Sequence, residues 1–331
     1  HLALAAKADP EIAQLREMAL NVTGGLGVAG KSSNDTALDT LRSKFAGGTA
    51  KNYYWAAGDK PELPDSLKKA GVTAQILGPP KDEKMLAVMD NKQHQYLSAD
   101  AGGGATPVRL SDAFKGKVAD YPKSAWDIFS VKEIQDQITG SQPSLAAAMA
   151  AKVDNAVNNQ SLVVLFTING KTLLFPGDAQ WGNWDNWLFG TLKVEDTTPL
   201  TATAKNILGN LDFYKVGHHG STNANPINAV EALRQGCVAM VSTACTAYGE
   251  PSKKSEVPRI RLLEELTKRT NNQLARSDQV ALTAAQTNGK AVPAPYPGGK
   301  DAKGEKWPAA PPLPNVFKTG PEGTFYIDYE M

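Results

Sequence analysis

Cysteine, histidine and net charge are what this chain has least of: two Cys, four His and a formal charge of +1 over 331 residues. The balance of 35 basic against 34 acidic residues excludes a global field that would draw in nucleic acid, so an anionic substrate must be attracted locally. No apolar run approaches the roughly 18 residues of a membrane span, and no amphipathic stretch is markedly basic. No membrane association is expected, and the chain reads as soluble. Cys237 and Cys245 flank the apolar run VAMVSTA. Eight extended residues would hold them about 25 Å apart, whereas a disulfide needs Cα atoms within about 7 Å. Free thiols are therefore expected, which favours a reducing compartment such as the cytoplasm.

What is present suits a folded α/β protein. Apolar residues make up 41% and charged residues 21%, close to globular averages, so a sizeable core is available. PEIAQLREMAL (10–20) and TALDTLRSKF (36–45) carry apolar residues at helical spacing. The loop between them, TGGLGVAGKSSND, follows no strand and lacks the Gly-Lys-Ser/Thr ending at phosphate-loop spacing, which excludes a nucleotide loop. AKNYYWAAG and GVTAQILGPP read as strands, residues 98–125 as a Gly-rich insertion, and PSLAAAMAAKVDNAVN as an Ala-rich helix. SLVVLFTI and KTLLFPGD, separated by an Asn-Gly turn, form the strongest hairpin signal. Beyond them a helix at ATAKNILGN, a strand at LDFYKVG, a helix at NAVEALRQ, a strand at VAMVSTA and a helix at PRIRLLEELTKRT alternate. Short strands at QLARS and QVALTA, a Pro/Gly-rich loop over 287–314 and a closing strand GTFYIDYE complete the pattern, with helices covering sheet strands.

Three candidate metal ligands stand at strand ends: Asp178 in LLFPGDAQ, and His218 and His219 in YKVGHHGS. Imidazole nitrogen and carboxylate oxygen suit zinc, manganese or iron, and a sheet fixes the spacing of ligands at neighbouring strand ends. A Gly-Asp after a strand is also an ordinary turn. Two imidazoles at the mouth of a buried strand need hydrogen-bond partners or a metal. His94, among polar neighbours in NKQHQYL, reads as an exposed loop residue. Trp181, Trp184 and Trp187, just after Asp178, could wall a stacking site for a base or sugar or pack the sheet edge.

NNQSLVVLFTINGKTLLFPGDAQ followed by LDFYKVGHHGSTNANP resembles the C-terminal half of the metallo-β-lactamase superfamily, in the branch that includes the hydrolase domain of bacterial competence DNA-uptake channel proteins. The likeness is specific over about residues 158–226. It implies an αββα sandwich, here a single domain portion with insertions. Residues 1–157 would supply N-terminal helices and edge strands, 158–285 the metal-motif sheet and helices, and 286–331 a loop and closing strand. The resemblance implies two metal ions, zinc first, with Asp178 as the bridging carboxylate and His218 completing one shell. His219 would be a ligand or the proton donor to the leaving group. Ser221, Thr222 and Trp181 would face substrate, and Asn158, Asn159 and Ser161 would be structural. The implied reaction is hydrolysis of a phosphodiester or phosphate ester, nucleic acid included, by metal-activated water. The same fold also allows a non-catalytic scaffold or binding module, or a β-lactam or thioester hydrolase.

One signature of the family is missing. Its His-x-His-x-Asp-His cluster does not occur in residues 1–331, whose only other histidines are His1 and His94. Because the chain starts at His1 and not at Met, the expectation is a further N-terminal segment or chain carrying the remaining ligands. The alternative is a scaffold that has lost them.

Overall fold

The computed structural model describes residues 53–96, 158–243, 256–280 and 298–331, apart from positions 87, 89, 192, 196, 301–302 and 321–325, with Thr40 and Pro251 described singly. The helices expected at 10–20 and 36–45, the insertion at 98–125 and the Ala-rich helix lie outside this set, save Thr40 and Asn158, both helical. Cys245 and residues 281–284 of QVALTA also lie outside it.

Six strands form one mixed sheet in sequential order: β1 (Val72–Gly78), β2 (Val163–Ile168), β3 (Lys171–Phe175), β4 (Phe213–Lys215), β5 (Val238–Val241) and β6 (Leu274–Arg276). The first three pair antiparallel, with Ile76 opposite Val164 and Val164 opposite Phe175. The Asn169-Gly170 turn between β2 and β3 has positive φ at both residues (49° and 79°), the backbone that matches strand twist and that Asn-Gly tolerates. From β3 onward the pairing is parallel: Leu174 meets Tyr214, Tyr214 meets Ala239, and Ala239 meets Leu274. Parallel neighbours need crossovers, and helices supply them. α3 (Trp181–Leu188) and α4 (Ala202–Gly209) join β3 to β4, α5 (Ile227–Glu231) joins β4 to β5, and α6 (Ile260–Arg269) joins β5 to β6. Two short helices, α1 (Asp65–Lys69) and α2 (Glu83–Leu86), flank β1.

The two-residue alternation of strand side chains feeds two cores. Leu165, Leu174, Tyr214, Ala239 and Leu274 point to one face, where Trp184, Leu188, Leu208, Val230, Leu262 and Leu266 from α3 to α6 cover them. Leu173, Phe213, Val238 and Ala275 point to the other, covered by Phe317, Leu313 and Tyr329 from the C-terminal stretch. The observed fold is thus α/β, a mixed six-stranded sheet flanked by helices. No helix among the described residues is long and apolar enough to cross a membrane.

Three expected strands need correction. Residues 53–60 contain none: Ala56–Asp59 is a turn in which Asp59 accepts the Ala56 N–H (2.8 Å), laid on the β1 edge through Ala57 N–H to the Pro79 carbonyl (2.8 Å). Gln279, the first residue of QVALTA, lies in a 3-10 turn because its side chain accepts the Arg276 N–H (2.6 Å). Among the described residues of the closing strand only β10 (Ile327–Asp328) is extended, paired with β9 (Lys318–Thr319); another two-residue hairpin, β7 (Gly299–Lys300) with β8 (Lys306–Trp307), interrupts the expected 287–314 loop.

Candidate functional site

Both Asp178 and the His pair leave the sheet at the same end, the carboxyl ends of parallel strands β3 and β4, where ligand crevices form in open α/β sheets. Their backbones touch: the His218 N–H donates to the Gly177 carbonyl at 3.1 Å. Gly217 permits this approach, since a Cβ there would stand 3.1 Å from the Gly177 and Ala224 carbonyl oxygens.

The Asp178 loop is pinned from β2. Ser161 Oγ accepts the Asp178 N–H (3.1 Å), and the Ser161 carbonyl accepts from the Asn183 amide (2.8 Å). Fully buried Asn159 accepts the Gln180 and Asn183 N–H groups and donates to the Leu86 and Val88 carbonyls. Asn159 and Ser161 therefore have structural roles.

The His pair sits in an uncommon backbone. His218, His219 and Gly220 are successive left-handed residues with φ of 41°, 54° and 79°. For non-glycine residues this region costs on the order of 1–3 kcal/mol each, and such strain concentrates at functional sites. Several bonds hold it. The Ser221 N–H donates to the His218 carbonyl (2.8 Å) and the Arg259 N–H to the Gly220 carbonyl (2.9 Å). The amide of fully buried Asn225 accepts the Gly217 N–H (3.1 Å) and the Tyr214 hydroxyl (2.8 Å), and donates to the Gly217 and Ser221 carbonyls.

His218 is half-buried and His219 exposed, their ring centroids 6.0 Å apart. His219 Nδ1 lies 2.8 Å from the Ser242 carbonyl oxygen at the end of β5. A carbonyl only accepts, so Nδ1 carries the proton and Nε2 the lone pair, the tautomer of a metal-ligating or acid-base histidine. Ser242 is steadied in turn, because Ser277 after β6 bonds both the N–H and the carbonyl of Thr243. Half-buried Lys215 donates to the Val216 carbonyl (3.2 Å). Burial pulls its ammonium below the usual lysine range while the negative charge of Asp178 opposes the shift, which places that carboxylate within electrostatic reach.

Three sequence expectations change. Trp181, expected to face substrate, is 2% exposed and stacks on His94 at 4.9 Å; packing at the sheet edge took it, because Trp181, Trp184 and Leu188 share the inner face of α3. His94, expected in solvent, is 3% exposed, with Nδ1 2.5 Å from Asn228 Oδ1. Its polar neighbours form a 3-10 turn capped by Asn91 that leaves the ring inside. Ser221, expected to line the substrate side, is buried and donates to Asn223 Oδ1 (2.9 Å), while Thr222 remains half-exposed. Asn225, Asn183 and helix α3 carried no sequence signal that found them.

A carboxylate and an imidazole of fixed tautomer fit one side of a zinc shell. Among the described residues no group of three or more His, Cys, Asp and Glu side chains comes together to complete it. Comparison of the chain with known protein families, curated proteins and solved structures finds no match.

Proposed function

We propose that this sheet end is the hydrolytic centre of a metal-dependent phosphoesterase, nuclease-like and of metallo-β-lactamase-like αββα architecture. The observation that supports it most is the left-handed His218-His219 turn, clamped by Asn225 and bonded through its backbone to the loop of Asp178. Asp178 and His218 would hold a divalent cation, zinc by the donor types, with manganese or iron as related choices. Such a cation supplies Lewis-acid polarisation of a phosphoryl oxygen and acidifies a water.

The chain's own groups account for the rest. Asp178 would bring negative charge to the cation, with half-buried Lys215 within electrostatic reach of it. His219, anchored at Nδ1 by Ser242, offers Nε2 from an exposed ring, either to the cation or, when protonated, to a departing alkoxide. Thr222, the next half-exposed side chain, borders the substrate.

The lack of a complete ligand group among the described residues leaves room for a second reading, a non-catalytic scaffold of the same fold. Metal analysis with hydrolysis of bis(p-nitrophenyl) phosphate decides between them. The hydrolase reading expects at least about one zinc or manganese per chain, with uptake lost in Asp178→Ala while the circular dichroism spectrum is kept. A wild-type protein that takes up neither metal and hydrolyses nothing establishes the scaffold.

A further inference from the structure

We infer that Ser277, just past the end of β6, is a positioning residue that fixes the tautomer and aim of the His219 ring through one peptide unit. What the ring then does rests on reading this sheet end as a phosphoesterase centre. The Ser242–Thr243 peptide lies between the two side chains. Its carbonyl oxygen stands 2.8 Å from His219 Nδ1, and its N–H donates to Ser277 Oγ at 2.7 Å. The Ser277 hydroxyl then donates to the Thr243 carbonyl (2.5 Å), so donation runs in one sense from the imidazole to β6. Each bond in such a chain polarises the next. A Ser242 carbonyl that is held still and polarised is a better acceptor for Nδ1–H, and a firmer bond there makes Nε2 the more basic nitrogen.

Ser277 is itself exposed, so its aim must come from its neighbours. Arg276 and Asp278, on either side of it, are both buried and joined by two bonds, Nε to Oδ1 at 2.9 Å and Nη2 to Oδ2 at 2.6 Å. Gln279 accepts the Arg276 N–H (2.6 Å) and donates to the Pro311 carbonyl (2.8 Å). A buried ion pair is weak as a source of net stability, because dehydrating two charges offsets their attraction. Its effect here is geometric. It holds the Ser277–Gln279 3-10 turn in the one shape that points the hydroxyl at Thr243.

The parallel register makes the reach short. Tyr214 pairs with Ala239 and Ala239 with Leu274, so β4, β5 and β6 end side by side, and His219, Ser242 and Ser277 each follow within a few residues. With its proton on Nε2, His219 could neither ligate a cation through that atom nor accept a proton there. Whatever fixes the proton on Nδ1 therefore decides what the ring can do.

The test is an imidazole 15N–1H correlation spectrum of the full chain, which has four histidines to resolve. It is recorded in EDTA, so that no cation holds the tautomer, and at about pH 9, well above the ordinary histidine range. Wild type should carry the His219 proton on Nδ1. Ser277→Ala should shift the ratio toward Nε2–H by roughly threefold, with the His94 and His218 signals and the urea midpoint little changed, and Ser277→Thr should restore it. Ser277→Cys, a weaker partner, should fall between and serves if the alanine variant does not fold. An unchanged His219 ratio in the variants, an Nε2–H wild type, or equal displacement of all the histidine signals overturns the role. Metal content and hydrolysis of bis(p-nitrophenyl) phosphate by the same proteins separate the two ideas. A Ser277-dependent tautomer in a metal-free, inactive chain sustains the positioning role and removes the hydrolase. Metal-dependent activity with a tautomer indifferent to Ser277 does the opposite, whereas a kcat lowered with the tautomer at constant KM supports both.

Discussion

The amide of Asn225 satisfies four groups at once, the full capacity of its carbonyl and NH2. Truncation to Ala would strand the Tyr214 hydroxyl, the Gly217 N–H and the Ser221 carbonyl in a dry interior, while the Gly217 carbonyl keeps the Gly220 N–H. With about 1–3 kcal/mol for each stranded group and partial relaxation, Asn225→Ala should lose roughly 3 kcal/mol, read as a lowered urea midpoint at unchanged m. Asn225→Asp keeps the acceptor but sets a carboxylate oxygen against the Gly217 and Ser221 carbonyls in a dry site, so it should lose at least as much as Asn225→Ala. At this scale the sequence was legible where a residue's type limits its use. A Gly-Asp and a His pair at strand ends located the two turns that the structure brings into contact. Asn225 stayed hidden because an Asn before Pro226 reads as loop, and nothing local reveals that the loop folds back over its own strand. His94 misled for the mirrored reason, its neighbour Gln93 facing water while its own ring faces Trp181.

Helix α3 shows how an element can be concealed by its burial. Asn183 and Asp185 are as buried as its tryptophans, so no polar stripe marks an outer face. The Asn-Gly hairpin, by contrast, was readable because local turn chemistry alone decides it. Asp185 is 1% exposed with Oδ1 lacking a hydrogen-bond partner, and burial pushes its carboxyl up to about 7. The folded chain then holds a proton that the unfolded chain releases above about pH 4. The resulting stabilisation is complete below that value, declines as pH rises and is gone above about 7. Asp185→Asn should therefore be the more stable protein at pH 8, by a few kcal/mol. At pH 4 the difference should nearly vanish. Paired urea titrations at the two pH values check this, and parallel pH profiles for both proteins would contradict it.

Across the whole molecule, a sheet with a core on each face leaves Cys237 fully buried, and burial pushes its thiol up to about 11. In a Cys245→Ser background, native protein should react with Ellman's reagent on the order of a hundredfold more slowly than unfolded protein, since the thiolate is the reactive form. Fast labelling under native conditions would mean that the β5 layer opens locally. Fold class was legible at this scale because strands and helices alternate along the chain. The two-sided covering was not, because Phe317 and Tyr329, which close the second face, lie more than 40 positions beyond the last strand of the sheet at Arg276.

β3 is the one strand of this sheet with an antiparallel neighbour on one side and a parallel neighbour on the other. Its two partnerships form on different clocks. The link to β2 closes across Asn169 and Gly170, whereas Leu174 and Tyr214 are 40 positions apart (214 minus 174) and meet only after α3 and α4 have packed. Asp178 belongs to the early partnership and the His pair to the late one. By loop-closure cost the isolated carboxylate turn is expected to form first, and the site to come into being in the step that commits the sheet to its parallel half.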